Sequence, residues 1–253
     1  MLSLLALILT TMTLTVEAKV PSQIIYRYDN NRYLELKGFN CDGALWYHDT
    51  TRNIHKELID GRFASFRVFT GAYIHPSDKY IFIPDWEPTA YLISKDYGQT
   101  WRVATYMASF PALERNSDGV MRDYPEGKEI KRVVVVNNQA FITTSQNHLY
   151  MSSYPFDDPR LKPGGPGIDY KFFDDTYYLY RPGKHKSNGE YVDGHTSPEF
   201  PGRAWGTVVF MKAALAHLTE GYKANYQNLP DKEPEVEGYK GWTRMRCDLD
   251  AGK

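Results

Sequence analysis

The chain is short of cysteine, has no excess of charge of either sign, and lacks the short strings that mark the common catalytic centres. Only 2 of its 253 residues are cysteine. No Cys-x-x-Cys occurs, which excludes a zinc ribbon and a thioredoxin-like redox centre. Lys and Arg number 30 against 31 Asp and Glu, a balance that argues against a nucleic-acid binder. GxSxG, HExxH and GxxxxGK[ST] are all missing, so there is no serine-hydrolase elbow, zincin helix or phosphate loop. The seven histidines (His48, His55, His75, His148, His185, His195 and His217) never take metal-ligand spacing on an evident helix. His185 and His195 share one loop, where solvated imidazoles are the expectation. Neither a catalytic residue, a metal nor a cofactor is expected.

What the chain does have is aromatic rings, 15% of residues, mainly 20 Tyr and 12 Phe. Bulky rings favour pleated, half-buried surfaces, so the composition leans to β-structure. Charged residues at 24% and apolar residues at 42% are ordinary globular values.

Residues 1–18 read as an address. An apolar block from Leu2 to Leu9 continues through Thr11, Met12 and Leu14, no charge precedes Glu17, and the segment ends on the small Ala18. It is too short for a confident membrane span and fits a cleaved secretory signal. The basic residues that usually open such a signal are missing, so an uncleaved anchor or a mis-set start is the alternative. Residues 19–253 then form a single domain. In an oxidising compartment Cys41 and Cys247 are expected to pair and to tie the first strands to the last; two buried free thiols are the alternative.

Short β-patterns dominate the mature chain. Ile24–Tyr28 and Tyr33–Leu36 flank a turn, Ala44–His48 follows, and Phe66–Phe69, Tyr80–Ile83, Ala90–Ser94 and Thr100–Val103 come next. The β-branched run Arg132–Val136, the turn Asn137-Asn138 and the run Gln139–Thr143 make the clearest hairpin, with His148–Ser152 after it. Residues 211–218 are open to helix or strand. Pro155–Gly167 and Arg181–Gly202 are loops by their Pro and Gly content. Apolar runs closed by polar turns recur at intervals near the roughly 40–50 residues of a propeller blade. The expected fold is all-β and β-propeller-like, with a β-sandwich as the alternative.

The sharpest local string is Ser94-Lys95-Asp96-Tyr97-Gly98-Gln99-Thr100-Trp101. It matches the Asp-box pattern S-x-D-x-G-x-T-W and resembles the blade turns of sialidase-like propellers. Its expected role is structural: Asp96 ties turn N–H groups, Gly98 takes a positive φ, Ser94 and Thr100 hold the strand ends, and Trp101 packs inward. The carboxylate pairs Asp157-Asp158 and Asp174-Asp175 sit in turn-like contexts. Tyr177, Tyr178, Tyr180 and Arg181, with Phe200, Arg203 and Trp205, bracket the second loop. Tyr178, Tyr180, Arg181, Arg203 and Trp205 are therefore candidate partner-binding residues, since Tyr, Trp and Arg combine apolar area with a polar handle. Core filling is the alternative for these rings.

A wider resemblance is carried by Gln23-Ile24-Ile25-Tyr26-Arg27, Arg32-Tyr33-Leu34-Glu35-Leu36 and Cys41 at the start. Leu149-Tyr150-Met151-Ser152-Ser153, Pro155–Arg160 and Pro163–Tyr170 carry it in the middle. Asn228-Leu229-Pro230-Asp231-Lys232 and Gly241–Asp248 carry it at the end. Together these resemble the periplasmic immunity proteins that neutralise lipase (phospholipase) effectors of type VI secretion systems. The resemblance implies a periplasmic, non-enzymatic inhibitor whose partner is a cognate lipase effector. The rival expectations are a secreted sialidase-like carbohydrate-active enzyme and a carbohydrate-binding module.

Overall fold

The computed structural model describes residues 19–87, 90–106, 124–152, 184–185, 191–192, 208–211 and 231–252. Its first four strands make an antiparallel meander: β1 (Ser22–Arg27), β2 (Arg32–Phe39), β3 (Asp42–Asp49) and β4 (Ile54–Ile59). Alternation in β2 drives the arrangement. Arg32, Leu34, Leu36 and Gly38 are buried, whereas Tyr33, Glu35 and Lys37 are only partly covered. One face thus packs inward and the other meets solvent. The β2–β3 turn is the two-residue loop Asn40-Cys41, with φ of 54° and 62°. Positive φ at both positions matches the right-handed twist of the flanking strands. Asp29, Asp49 and Asp60 each accept the backbone N–H groups of the second and third residues after them, which fixes three further turns.

β5 (Phe66–Arg67) adds to β3 and completes a five-stranded sheet. A second sheet has eight strands in the order β6-β10-β11-β12-β15-β9-β8-β7. These are β6 (Ala72–Ile74), β7 (Ile81–Ile83), β8 (Ala90–Ser94), β9 (Arg102–Tyr106), β10 (Ile130–Val136), β11 (Gln139–Thr144), β12 (Leu149–Ser152) and β15 (Val208–Met211). β13 (Lys184–His185) and β14 (Tyr191–Val192) pair with each other. The β10–β11 turn is Asn137-Asn138, with φ of 53° and 60°. Val133, Val134 and Val135 are buried in succession, the mark of a strand covered on both faces.

The protein is all-β. Its one helical turn among the described residues is a 3-10 turn, Gly127–Glu129. Those residues close no barrel. β8–β9 and β10–β12 share one sheet through β15. Met211 ends β15; residues 212–218 of the segment open to helix or strand lie outside the described residues, as do residues 1–18. β4 and β6 are strands that the apolar patterns do not announce. β4 is a sheet edge whose middle residues, His55 to Glu57, face water. β6 has three residues and pairs in parallel with the distant β10.

The inner faces of both large sheets feed one core. Among the described residues, its largest fully buried side chains are seven tyrosines and four phenylalanines. Buried hydroxyls favour partners, and two of these bond across elements. Tyr26 donates to the Tyr73 carbonyl (3.1 Å), and Tyr73 to the Phe82 carbonyl (2.6 Å). Buried Arg32 reaches from β2 to the Ser77 carbonyl (3.0 Å), pairs with Asp29 (2.7 Å) and lies over the Tyr28 ring.

Residues 231–252 form a strap across both sheets. Its backbone N–H groups at Trp242 and Arg246 donate to the carbonyls of Arg27 and Ile25 on β1. Its Thr243 carbonyl accepts from Tyr73 on β6. Glu233 accepts from Arg132 on β10 and Thr143 on β11. Gln23 exchanges two bonds with Asp248. The Cys41–Cys247 disulfide, with Cα atoms 5.9 Å apart across 206 residues of sequence, fastens the strap to the β2–β3 turn. In the chain-entropy view so long a loop gives roughly 5 kcal/mol as an upper estimate.

Candidate partner-binding surfaces

The turn Ser94–Trp101 shows how this chain places rings. Asp96 accepts from Ser94 Oγ (2.8 Å), the Thr100 N–H (2.9 Å) and Thr100 Oγ1 (2.6 Å). Burial acts to raise the Asp96 pKa, but these bonds outweigh it and hold the carboxyl below its usual range. Gly98 sits at φ +92°. Trp101 donates its indole N–H to the Gly98 carbonyl (2.9 Å) and packs edge-on to Tyr47 of β3. The turn thereby locks the eight-stranded sheet to the five-stranded one.

The outer face of the five-stranded sheet carries a plate of rings. Tyr33 stacks on His48 with centroids 4.5 Å apart and planes 11° apart. Trp46 lies beyond, 6.4 Å from His48. Lys37 sits 4.1 Å over the Trp46 ring, and Arg27 5.3 Å over Tyr33. Glu35 is the central acid. It accepts from Ser22 Oγ, bonds His48 Nε2 (2.7 Å) and lies 3.9 Å from Lys37. His48 Nδ1 meets His55 Nδ1 at 2.8 Å. Burial pulls the His48 pKa down, although Glu35 opposes the shift. A neutral ring donating Nε2–H to Glu35 leaves Nδ1 to accept from His55. The two imidazoles thus serve as a hydrogen-bonded pair. No group of three or more His, Cys, Asp or Glu suited to a metal occurs among the described residues.

A second surface surrounds the disulfide. An open groove of about 420 Å³ is lined by Cys41, Arg67, Trp86, Met245, Cys247 and Leu249, among others. Trp86 also walls a smaller groove of about 300 Å³ with Tyr124 and Lys128. Trp86, Leu249, Tyr124 and Phe39 are large apolar side chains exposed at the surface. Beside them Asp85 accepts from the N–H groups of Arg67 and Trp86. Burial raises its pKa to about 6.

The sequence-based contact candidates, Tyr178, Tyr180, Arg181, Arg203 and Trp205, lie outside the described residues, as do Asp157-Asp158, Asp174-Asp175, His195 and His217. His75 is fully buried and its Nε2 accepts from the Phe82 N–H (3.2 Å). The ring plate escaped sequence reasoning. Its one signal is the alternation Tyr33, Glu35, Lys37 on the solvent side of β2, and that pattern does not say which rings lie opposite on β3.

Among the described residues, no helix is long and apolar enough to cross a membrane. No curated protein matches the chain. A family model described as the T6SS Tli3 immunity protein matches residues 18–144, a span that holds the whole five-stranded sheet and the Asp96 turn. The matched span is half of the chain and carries the ring plate, the Cys41 anchor and most of the shared core; the chain belongs to the Tli3 family of type VI secretion system immunity proteins.

Proposed function

We propose that this immunity protein is exported to the periplasm and there neutralises a lipase effector by one-to-one binding. Membership of the Tli3 immunity family carries the reading. Inhibition of this kind needs a complementary surface of about 800 Å² per partner and no chemistry from the inhibitor. The stapled two-sheet scaffold supports it, because a surface held rigid loses little entropy on docking. The disulfide suits an oxidising compartment, and the apolar segment at 1–18 suits export.

The test is co-purification with the lipase encoded beside the immunity gene, followed by titration of its lipase activity. Activity should fall to zero at one equivalent. Full activity in the presence of excess immunity protein overturns the lipase assignment. Fractionation of cells should recover the protein with periplasmic markers; recovery with cytoplasmic ones overturns the export step.

A further inference from the structure

We propose that the β1 margin of the five-stranded sheet grips an acidic segment of the effector, with carboxylates on Arg27 and Arg246 and an apolar side chain on Ile24 and Tyr33. This rests on the inhibitory reading above and names the surface that would carry it.

Two guanidinium groups flank β1, and each lies over an aromatic ring. Arg27 sits over Tyr33 (5.3 Å) and Arg246 over Trp242 (4.3 Å). Their backbones are linked: Trp242 and Arg246 of the strap donate to the Arg27 and Ile25 carbonyls. Neither guanidinium has a carboxylate within ion-pair distance among the described residues. That sets them apart from Arg32, Arg52, Arg67 and Arg132, each of which has an acidic partner. The central acid of the face, Glu35, is already engaged by Ser22, Lys37 and His48. The margin therefore holds positive charge that no carboxylate among the described residues neutralises.

Contact with a ring face restrains each guanidinium, and no carboxylate among the described residues occupies its N–H fork. A restrained fork matches a carboxylate in two-point geometry and gives up less side-chain freedom on binding. Next to it, Ile24 is 37% exposed at the margin, and Tyr33 presents a ring already supported by His48. Arginine beside aromatic and aliphatic side chains is the composition of an energetic hot spot. Charge complementarity selects an acidic partner segment, because a basic one would meet two like charges.

The full-length protein and the lipase encoded beside its gene are the reagents. In a binding assay, the double variant Arg27→Glu with Arg246→Glu should weaken affinity at least 100-fold. Its melting temperature should stay near that of the wild type. Arg27→Gln with Arg246→Gln should lose at least 10-fold, and wild-type affinity should fall as salt rises. Trp86→Ala with Leu249→Ala, on the disulfide groove, should bind within twofold of wild type. Wild-type binding that survives both arginine double variants overturns this surface and leaves the inhibitory reading standing. A loss confined to the groove variant has the same meaning. Failure of the wild type to bind the lipase removes the inhibitory reading itself, and this surface with it. A dimer in sedimentation that the Arg27→Glu change dissociates also overturns the assignment.

Discussion

Gly98 lies against the ring of Tyr47, so that a methyl group at position 98 would fall 2.2 Å from the Tyr47 Cε1. The contact joins the Ser94–Trp101 turn of one sheet to β3 of the other, and Gly98 also holds a left-handed φ of +92°. Gly98→Ala therefore meets both a steric and a backbone penalty. It should destabilise by about 2–4 kcal/mol, read from urea unfolding. A loss below about 0.5 kcal/mol shows that the ring yields freely and that the turn is not a fixed joint.

Asp96 works in the same turn by hydrogen bonding. Asp96→Ala removes three acceptor bonds, two of them to Thr100. A cost of about 1–3 kcal/mol is expected. Asp96→Asn keeps one acceptor oxygen and should lose less. Equal losses for the two variants would mean that the oxygen Asn retains contributes nothing and that only the ionised carboxylate serves the turn.

Replacing Cys41 and Cys247 together by Ser frees the strap from the β2–β3 turn. Stability should fall by roughly 3–5 kcal/mol. The strap retains its bonds to β1, β10 and β11, so the fold should survive with its C-terminal residues more open to proteolysis. Titration of the denatured, unreduced wild type should find no free thiol. Two thiols per chain would remove the staple from the account.

Two groups whose pKa values desolvation shifts give opposite pH dependences. Burial lowers the His75 pKa to about 3, with the Arg32 charge adding to the effect. The unfolded chain therefore takes up this proton first as pH falls below about 6.5, and stability drops progressively down to about pH 3. Gln at position 75 places an acceptor near the Phe82 N–H without a titration. His75→Gln should flatten the stability profile in that window, measured by urea midpoint at stepped pH. An unchanged slope would exonerate His75.

Asp85 runs the other way. Its folded pKa of about 6 lies above the unfolded value, so the folded state holds the proton longer. Stability from this group is full below about pH 4 and is lost as pH rises through 6. Asp85→Asn keeps an oxygen for the Arg67 and Trp86 N–H groups. It should stabilise the protein by about 1–2 kcal/mol at pH 8 and by nothing near pH 4. Destabilisation at pH 8 would show that the ionised carboxylate is needed there.

The sequence by itself determined the local β-structure. Alternation in Arg32–Phe39, the paired asparagines after Val136 and the short-range bonding residues of Ser94–Trp101 act over a few positions, and they produce strands and turns where those patterns stand. An immunity role was also legible, through strings spread along the chain rather than through any site chemistry. Only the tertiary structure decided which strands are neighbours: the parallel pairings of β6 with β10 and β9 with β15, and the union of β8–β12 in one sheet. Alternation with period two reports which face a side chain joins but is silent on its cross-strand partner. For the same reason the arginines on Tyr33 and Trp242 became a pair only in three dimensions. Arg27 and Arg246 stand at opposite ends of the chain, and they share a margin because the strap returns along β1.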